Sequence, residues 1–143
     1  MSFDAAALDT TLTNANLTRA GISGAQGTRA NFTGADLTGA NLISALLPGA
    51  TLTNANLTGA NLVGSTFTGA NLTHATLTNA TMRGVNLTDA NLTLADLGGA
   101  ALDGARLNAA NLNGANLLGA ILAGVFCNAS TQWPLGFTPP TCR

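Results

Sequence analysis

The sequence predicts an all-β solenoid in which the chain turns a corner after every five residues. A large apolar residue recurs at every fifth position from Leu12 to Leu122, and Gly27 is the one exception. Ala stands two positions before nearly all of these residues. No Asp, Arg or His occupies either position within residues 10–124, as expected if both positions face a dry core.

A five-residue period fits neither an α-helix nor a flat strand. A helix advances by about 100° per residue, so the leucines would wind around all of its sides. In a strand they would alternate between faces, because five is an odd number. The period therefore predicts a chain that bends in the same direction after each unit, with stacked coils about 4.8 Å apart.

The other positions of each unit suit corners. Asn or Asp before the Leu can accept hydrogen bonds from the local backbone. Glycines at the end of the unit, such as Gly59 and Gly64, tolerate backbone dihedrals that other residues resist. Gly27 leaves one inward position unfilled, and we expect a local gap or bend there.

The repeated units match a known pattern. Residues 55–59 and 60–64 spell ANLTG and ANLVG, and ADLTG and ANLNG occur elsewhere in the same phase. These units resemble the pentapeptide repeat family, whose signature is an uninterrupted A(N/D)LXX. The resemblance implies a right-handed quadrilateral β-helix, with nearly six coils in residues 10–124 if four units make a coil.

The two ends of the solenoid need caps, because a solenoid exposes its terminal backbone and core. We expect an N-terminal cap in residues 1–9, the β-helix in residues 10–124 and a C-terminal cap in residues 125–143. Residues 130–139 resemble the closing segment of many cyanobacterial members of the family. The predicted capping residues are Phe3, Phe126, Trp133 and Phe137. For Trp133, the alternative to capping is that it binds a ligand.

Two cysteines, Cys127 and Cys142, bracket the C-terminal segment. A disulfide between them would close a loop of about 15 residues and contribute about 3 kcal/mol. It would imply an oxidising compartment such as a periplasm or a thylakoid lumen. The alternative is a buried thiol and a separate exposed thiol, which fits the cytoplasm.

The composition argues against catalysis and nucleic-acid binding. Charged residues make up 8% of the chain, the net charge is −1, and Lys, Glu and Tyr are absent. The single histidine, His74, falls at an outward corner, and metal sites need several converging ligands. We expect no enzyme, cofactor, metal site or nucleic-acid partner. The sequence also predicts no membrane span and no secretory signal at residues 1–10.

Outward-facing threonines form two ladders on adjacent sides of the predicted coil. Stacked threonines suit a β-surface, and a flat array of them is also a feature of surfaces that bind ice. The Asn residues between the ladders count against ice binding. The ladders are Thr13, Thr33, Thr53, Thr73 and Thr93, and Thr18, Thr38, Thr58 and Thr78.

The sequence predicts a non-catalytic structural or protein-interaction solenoid with an unknown protein partner, present as a monomer or an end-to-end homodimer. Leu118 and Ile43 are outward-facing apolar residues that could contact a partner. One alternative is binding of ice or ordered water through the threonine ladders. The other comes from the resemblance, because some family members mimic DNA, bind gyrase and protect it from quinolones. Such mimicry needs an acidic stripe, and only Asp36 and Asp96 share the relevant position on one side.

Overall fold

A computed structural model describes residues 11–143 of the 143-residue chain. Within these residues the backbone forms no helix and no continuous strand. It consists of single-residue β-bridges separated by two-residue turns, repeated every five residues from Thr11 onward. Phe3, predicted to cap the N-terminal end, lies outside the described residues.

The bridges define coils of 20 residues. Thr11 pairs with Asn31, Asn61 pairs with Thr81 and Arg106 pairs with Phe126, all in parallel register. Since each unit has five residues, one coil has four sides and every unit lies directly over the unit one coil earlier. The last bridge, Asn111 to Gln132, spans one residue more, so the strict register ends in the C-terminal segment.

Backbone hydrogen bonds join the coils at three points on each side. On one side the Leu57 N–H donates to Thr76 O at 2.6 Å, and the Gly59 N–H donates to Thr78 O at 2.9 Å. In the opposite direction the Asn56 N–H donates to Ala35 O at 2.9 Å. The same three bonds recur along the rod and satisfy backbone groups that would be costly to bury without partners.

The two inward positions of each unit form the core, as predicted. Leu57 and Ala60 are fully buried, and the same positions are buried in the units above and below. Ser65 replaces Ala at one buried position, where its hydroxyl donates to Leu62 O at 2.7 Å. The core is therefore a continuous apolar column, and its one described polar substitution carries its own hydrogen bond.

Each corner depends on a residue with positive φ at the last position of the five-residue unit. Gly59 has φ 63°, Asn79 has 57° and Leu94 has 58°. The N–H of the next residue closes the turn, as where Ala60 donates to Leu57 O at 3.0 Å. Glycine adopts this conformation at no steric cost, and Asn tolerates it better than other residues do. The predicted role of the corner glycines is confirmed.

The Asn or Asp before each Leu stabilises the corner from outside. Asn56 Oδ1 accepts the Thr58 backbone N–H at 3.1 Å and the Thr58 hydroxyl at 2.6 Å. The same arrangement joins Asn91 to Thr93. The Asn-Leu-Thr triplet is therefore a local Asx turn built into the repeat.

Gly27 is buried, and the ladder passes through it without a break. Its N–H donates to Leu46 O at 2.9 Å, as the leucines in equivalent positions do. Between Leu12 and Val125, however, the turn-closing bond is missing only at the corners that begin at Gly27 and Leu122. The one inward position without a side chain therefore coincides with a corner that lacks its turn-closing hydrogen bond.

We predict that Gly27→Leu raises the free energy of unfolding by about 1–2 kcal/mol, because it adds apolar burial and reduces the freedom of the unfolded chain. Urea denaturation followed by circular dichroism measures the change. The control is Gly59→Leu, where φ is 63° and nothing lies within 4 Å of an added Cβ, so backbone strain alone should lower stability. A loss of stability at Gly27 would mean that its space is already filled.

We predict that Leu94→Asn raises the free energy of unfolding by about 1 kcal/mol, because it relieves the left-handed strain of a leucine with φ 58°. Thermal unfolding provides the measurement. Ile43→Asn is the matched control, since Ile43 is a partly exposed apolar residue that has no positive φ and lies outside the C-terminal groove. Equal responses of the two variants would argue against corner strain as the cause.

Candidate interaction surfaces

The two threonine ladders lie on adjacent sides of the rod. Their members stack one coil apart, because the neighbouring bridge residues pair at intervals of 20. The hydroxyls of Thr33, Thr58 and Thr93 donate to an Asn Oδ1 two residues earlier, at 2.6–2.7 Å. These hydroxyl hydrogens are therefore directed along the protein surface and toward the Asx turns.

On the side that carries the Thr18–Thr78 ladder, Asp36 and Asp96 accept hydrogen bonds in Asx turns of the same kind. Thr38 donates its hydroxyl to Asp36 Oδ1 at 2.5 Å and its backbone N–H at 3.0 Å, and these bonds lower the pKa of Asp36 below its ordinary value. Asp96 Oδ1 accepts the Gly98 N–H at 3.0 Å and the Asn116 side-chain amide at 2.9 Å. Asn56 and Thr76 separate the two carboxylates along the column, so this side carries isolated acids.

The aromatic residues of the C-terminal segment lie against the last coils. Trp133 and Phe137 stack with ring centroids 5.5 Å apart, and both pack on the buried core. The Arg106 guanidinium lies over the Phe126 ring, 5.2 Å from its centroid. The capping role of these three aromatics stays a prediction.

The structure joins Cys127 and Cys142 by a disulfide, with their Cα atoms 5.1 Å apart. Cys127 is buried and Cys142 is exposed. The next residue, Arg143, donates its backbone N–H to Val125 O at 3.0 Å. The end of the chain is therefore held back onto the repeat by one covalent bond and one hydrogen bond.

An apolar groove of about 420 Å³ opens beside the C-terminal segment. Leu118 at its edge is 82% exposed, and Leu135 is fully exposed. Sequence patterns singled out Leu118 but missed Leu135, because residues 125–143 follow no period. We call this feature the C-terminal groove, and it is lined by Ala115, Leu117, Leu118, Gly119, Pro134, Leu135, Gly136 and Phe137.

Within residues 11–143, no further coil pairs with the backbone beside the C-terminal groove. One coil earlier, Leu97 N–H donates to Asn116 O and Gly99 N–H donates to Leu118 O. The equivalent N–H groups of Leu117 and Gly119 have no protein acceptor among the described residues. The carbonyl of Ala115 likewise accepts no bond from residues 11–143. This edge is a row of unsatisfied backbone groups of the kind that pairs with another strand.

Other described side chains form no concentrated polar site. Residues 11–143 contain no group of three or more His, Cys, Asp or Glu arranged to hold a metal ion. His74 is exposed at its corner, and Arg83 pairs with Asp103 at 3.3 Å on the surface. In the same part of the chain no helix has the length and apolar character needed to cross a bilayer.

The repeat, its 20-residue coil and its Asx corners define a class of protein. The family model for pentapeptide repeats matches this sequence in overlapping segments, so the chain belongs to the pentapeptide repeat family. The fold is therefore the right-handed quadrilateral β-helix of that family. The matched segments are residues 5–42, 35–73, 50–89, 70–108 and 90–126.

Two solved cyanobacterial structures resemble the chain in both sequence and fold. The pentapeptide repeat protein Rfr23 from Cyanothece 51142 is 36% identical with a TM-score of 0.65, over 65% of this chain and 63% of that one. This chain thus spans a little under two-thirds of Rfr23. The pentapeptide repeat protein alr5209 from Nostoc PCC 7120 is 39% identical with a TM-score of 0.59, over 72% of this chain and 77% of that one.

A third structure shares only the fold. QnrB1, a plasmid-mediated fluoroquinolone resistance protein, is 20% identical with a TM-score of 0.55, over 79% of this chain and 68% of that one. Comparison with curated protein sequences gives no match.

We predict that reduction of the disulfide lowers the free energy of unfolding by about 3 kcal/mol, because the unfolded chain regains the freedom of a loop of about 15 residues. Denaturation with and without reductant measures the loss. Cys142→Ser should reproduce it, since Cys142 is exposed and its removal leaves no cavity. Reductant should then have no effect on that variant, and two free thiols in the non-reduced wild type would contradict the prediction.

Proposed function

We propose that this chain is a non-catalytic interaction rod whose binding surface is its C-terminal end. Membership of the pentapeptide repeat family supports an interaction or structural role. The contacts along the rod favour the end over the sides, because the coil-to-coil ladder pairs the backbone of the sides and many of their threonine hydroxyls donate to Asn or Asp in Asx turns. The observation that carries the proposal is the meeting of unpaired backbone and exposed leucines at the C-terminal groove.

The composition of this end suits an interface. Between Leu107 and Cys142 the sequence contains no charged residue. The residues that line the C-terminal groove are likewise uncharged, so a partner would displace water from Leu118 and Leu135 without placing a charged side chain in the groove. Exposed leucines near the middle of the rod, such as Leu46, lack the adjoining unpaired edge.

We propose a second copy of the chain as the partner, meeting it end to end. The Ala115 carbonyl and the Leu117 N–H flank Asn116 on the unpaired edge. In an antiparallel pair centred on Asn116, each of these groups would meet its complement from the other copy. The edge is therefore self-complementary, which is what a twofold interface requires.

We also propose how the chain divides into two caps and a β-helix. Residues 1–9 would cap one end, residues 10–124 would form roughly six coils and residues 125–143 would cap the other end. Packing of Trp133 and Phe137 on the core supports the C-terminal part of this scheme, while β-bridges at Phe126 and Gln132 carry the pairing past residue 124. The disulfide favours an oxidising compartment such as a periplasm or a thylakoid lumen.

The two alternative functions receive less support from the contacts. Ice binding uses threonine hydroxyls directed at water, and here many of them donate to Asn or Asp. Gyrase binding by DNA mimicry uses an acidic stripe, and here Asp36 and Asp96 are isolated. QnrB1 is too distant in sequence to transfer its role to this chain. Both alternatives stay predictions, to be tested by ice-crystal shaping and by gyrase protection assays.

We predict a reversible dimer in sedimentation equilibrium of the wild-type protein. Leu118→Asp and Leu135→Asp should each weaken it by at least about tenfold, because each places a charge in the uncharged lining of the C-terminal groove. Both side chains are largely exposed, so the fold should persist, and circular dichroism checks this.

Leu46→Asp is the matched control, since Leu46 is 45% exposed and lies outside the C-terminal groove. It should leave the dimer constant unchanged. A wild-type protein of monomer mass at every concentration, or equal weakening by all three variants, would reject the second copy as the occupant of this end.

A further inference from the structure

One dipeptide in the last coil combines a reactive sequence with an unprotected backbone. Asn113 is followed by Gly114, and no other Asn in the chain precedes a glycine. Asn113 is exposed and Gly114 is the corner residue, with φ 68°. Glycine after Asn leaves the peptide nitrogen sterically open to the side-chain amide, which makes this sequence chemically labile.

The ladder protects the corresponding nitrogen in the body of the rod. Gly59 N–H donates to Thr78 O and Gly104 N–H donates to Ala123 O, both at 2.9 Å. Gly114 N–H has no such acceptor among the described residues, because the chain leaves the 20-residue register before reaching it. The labile sequence thus coincides with a corner where the attacking nitrogen is free.

We propose that Asn113 is a site of spontaneous deamidation that alters the C-terminal end of the rod. Gly114 N–H gives its proton to solvent, and the nitrogen forms a bond to Asn113 Cγ. The bond from Cγ to Nδ2 breaks, and the departing Nδ2 amino group takes a proton from solvent and leaves as ammonia, giving a cyclic succinimide. Water then opens either carbonyl of the ring and produces aspartate or isoaspartate, with no oxidant or reductant involved.

The modification acts on a contact that anchors the C-terminal segment. Asn113 Nδ2 donates to Gln132 Oε1 at 2.6 Å, and Gln132 O accepts the Leu112 N–H at 2.7 Å. Loss of Nδ2 as ammonia removes the first of these bonds. Isoaspartate also lengthens the backbone at the corner, and either product places a negative charge in residues 107–142, a stretch of sequence that otherwise carries no charge. The Asn111–Gln132 bridge is therefore the part of the ladder that deamidation loosens.

The test is incubation of the folded protein at neutral to mildly alkaline pH, followed by peptide mass spectrometry of every Asn. The variant Thr58→Asn supplies an internal comparison, since it creates a second Asn-Gly pair at a corner where Gly59 N–H is bonded. Asn113 should react about tenfold faster than Asn at position 58, the factor expected when one site must first break a backbone hydrogen bond. In denaturant the two sites should react at similar rates.

Hydrogen exchange tests whether deamidation loosens the Asn111–Gln132 bridge or changes only the chemistry of Asn113. Deamidated wild type should exchange the Leu112 amide faster than fresh protein does, and Asn113→Gln should suppress both the mass change and the faster exchange. Equal rates at positions 58 and 113 in the folded protein, or no reaction at Asn113, would overturn the proposal. Unchanged exchange after complete deamidation would overturn its structural part.

Discussion

The left-handed corner residue is the constraint on which the rest of this structure depends. Because one residue in each unit takes positive φ, the chain turns by the same angle every five residues and returns above itself after four turns. The 20-residue bridges, the buried Ala and Leu columns and the Asx turns are consequences of that closure. The repeat supplies Gly or Asn at many of these corners, but Arg29, Leu94 and Ala109 adopt the same conformation. The ladder around them therefore outweighs a local cost of about 1–2 kcal/mol.

The structure of the periodic part of the chain could be predicted from the sequence, because each unit repeats the same two inward apolar positions and the same corner. The phase of the leucines alone located the core, and the exclusion of charge from those positions tested it independently. The role of Asn before Leu followed from its known turn chemistry. At Gly27 the sequence predicts an inward position without a side chain, but the continuation of the ladder and the loss of the corner bond are visible only in the folded chain.

The candidate binding end could not be predicted in the same way. Residues 125–143 follow no period, so nothing in the pattern indicates that Leu135 is exposed or that it forms a groove with Leu118. The sequence also gives no sign that the Ala115 carbonyl and the Leu117 N–H are unpaired. The five-residue units that contain them have the same pattern as units whose backbone groups are paired. Their difference arises only from the absence of a following coil over that side. Whether a backbone group in this rod is paired thus depends on its position in the stack more than on the identity of the residue.

The 20-residue register has a further consequence for how such a rod can change. Adding or removing one unit of five residues preserves which side chains face inward, so the core tolerates it. It also moves every later residue to the next side of the rod, a quarter turn around the axis. A threonine ladder would be interrupted and would continue on a neighbouring side, and the C-terminal groove would face another direction. Only changes of whole coils lengthen the rod while keeping its surfaces aligned, and the phase is unbroken here from Thr11 to Gly124.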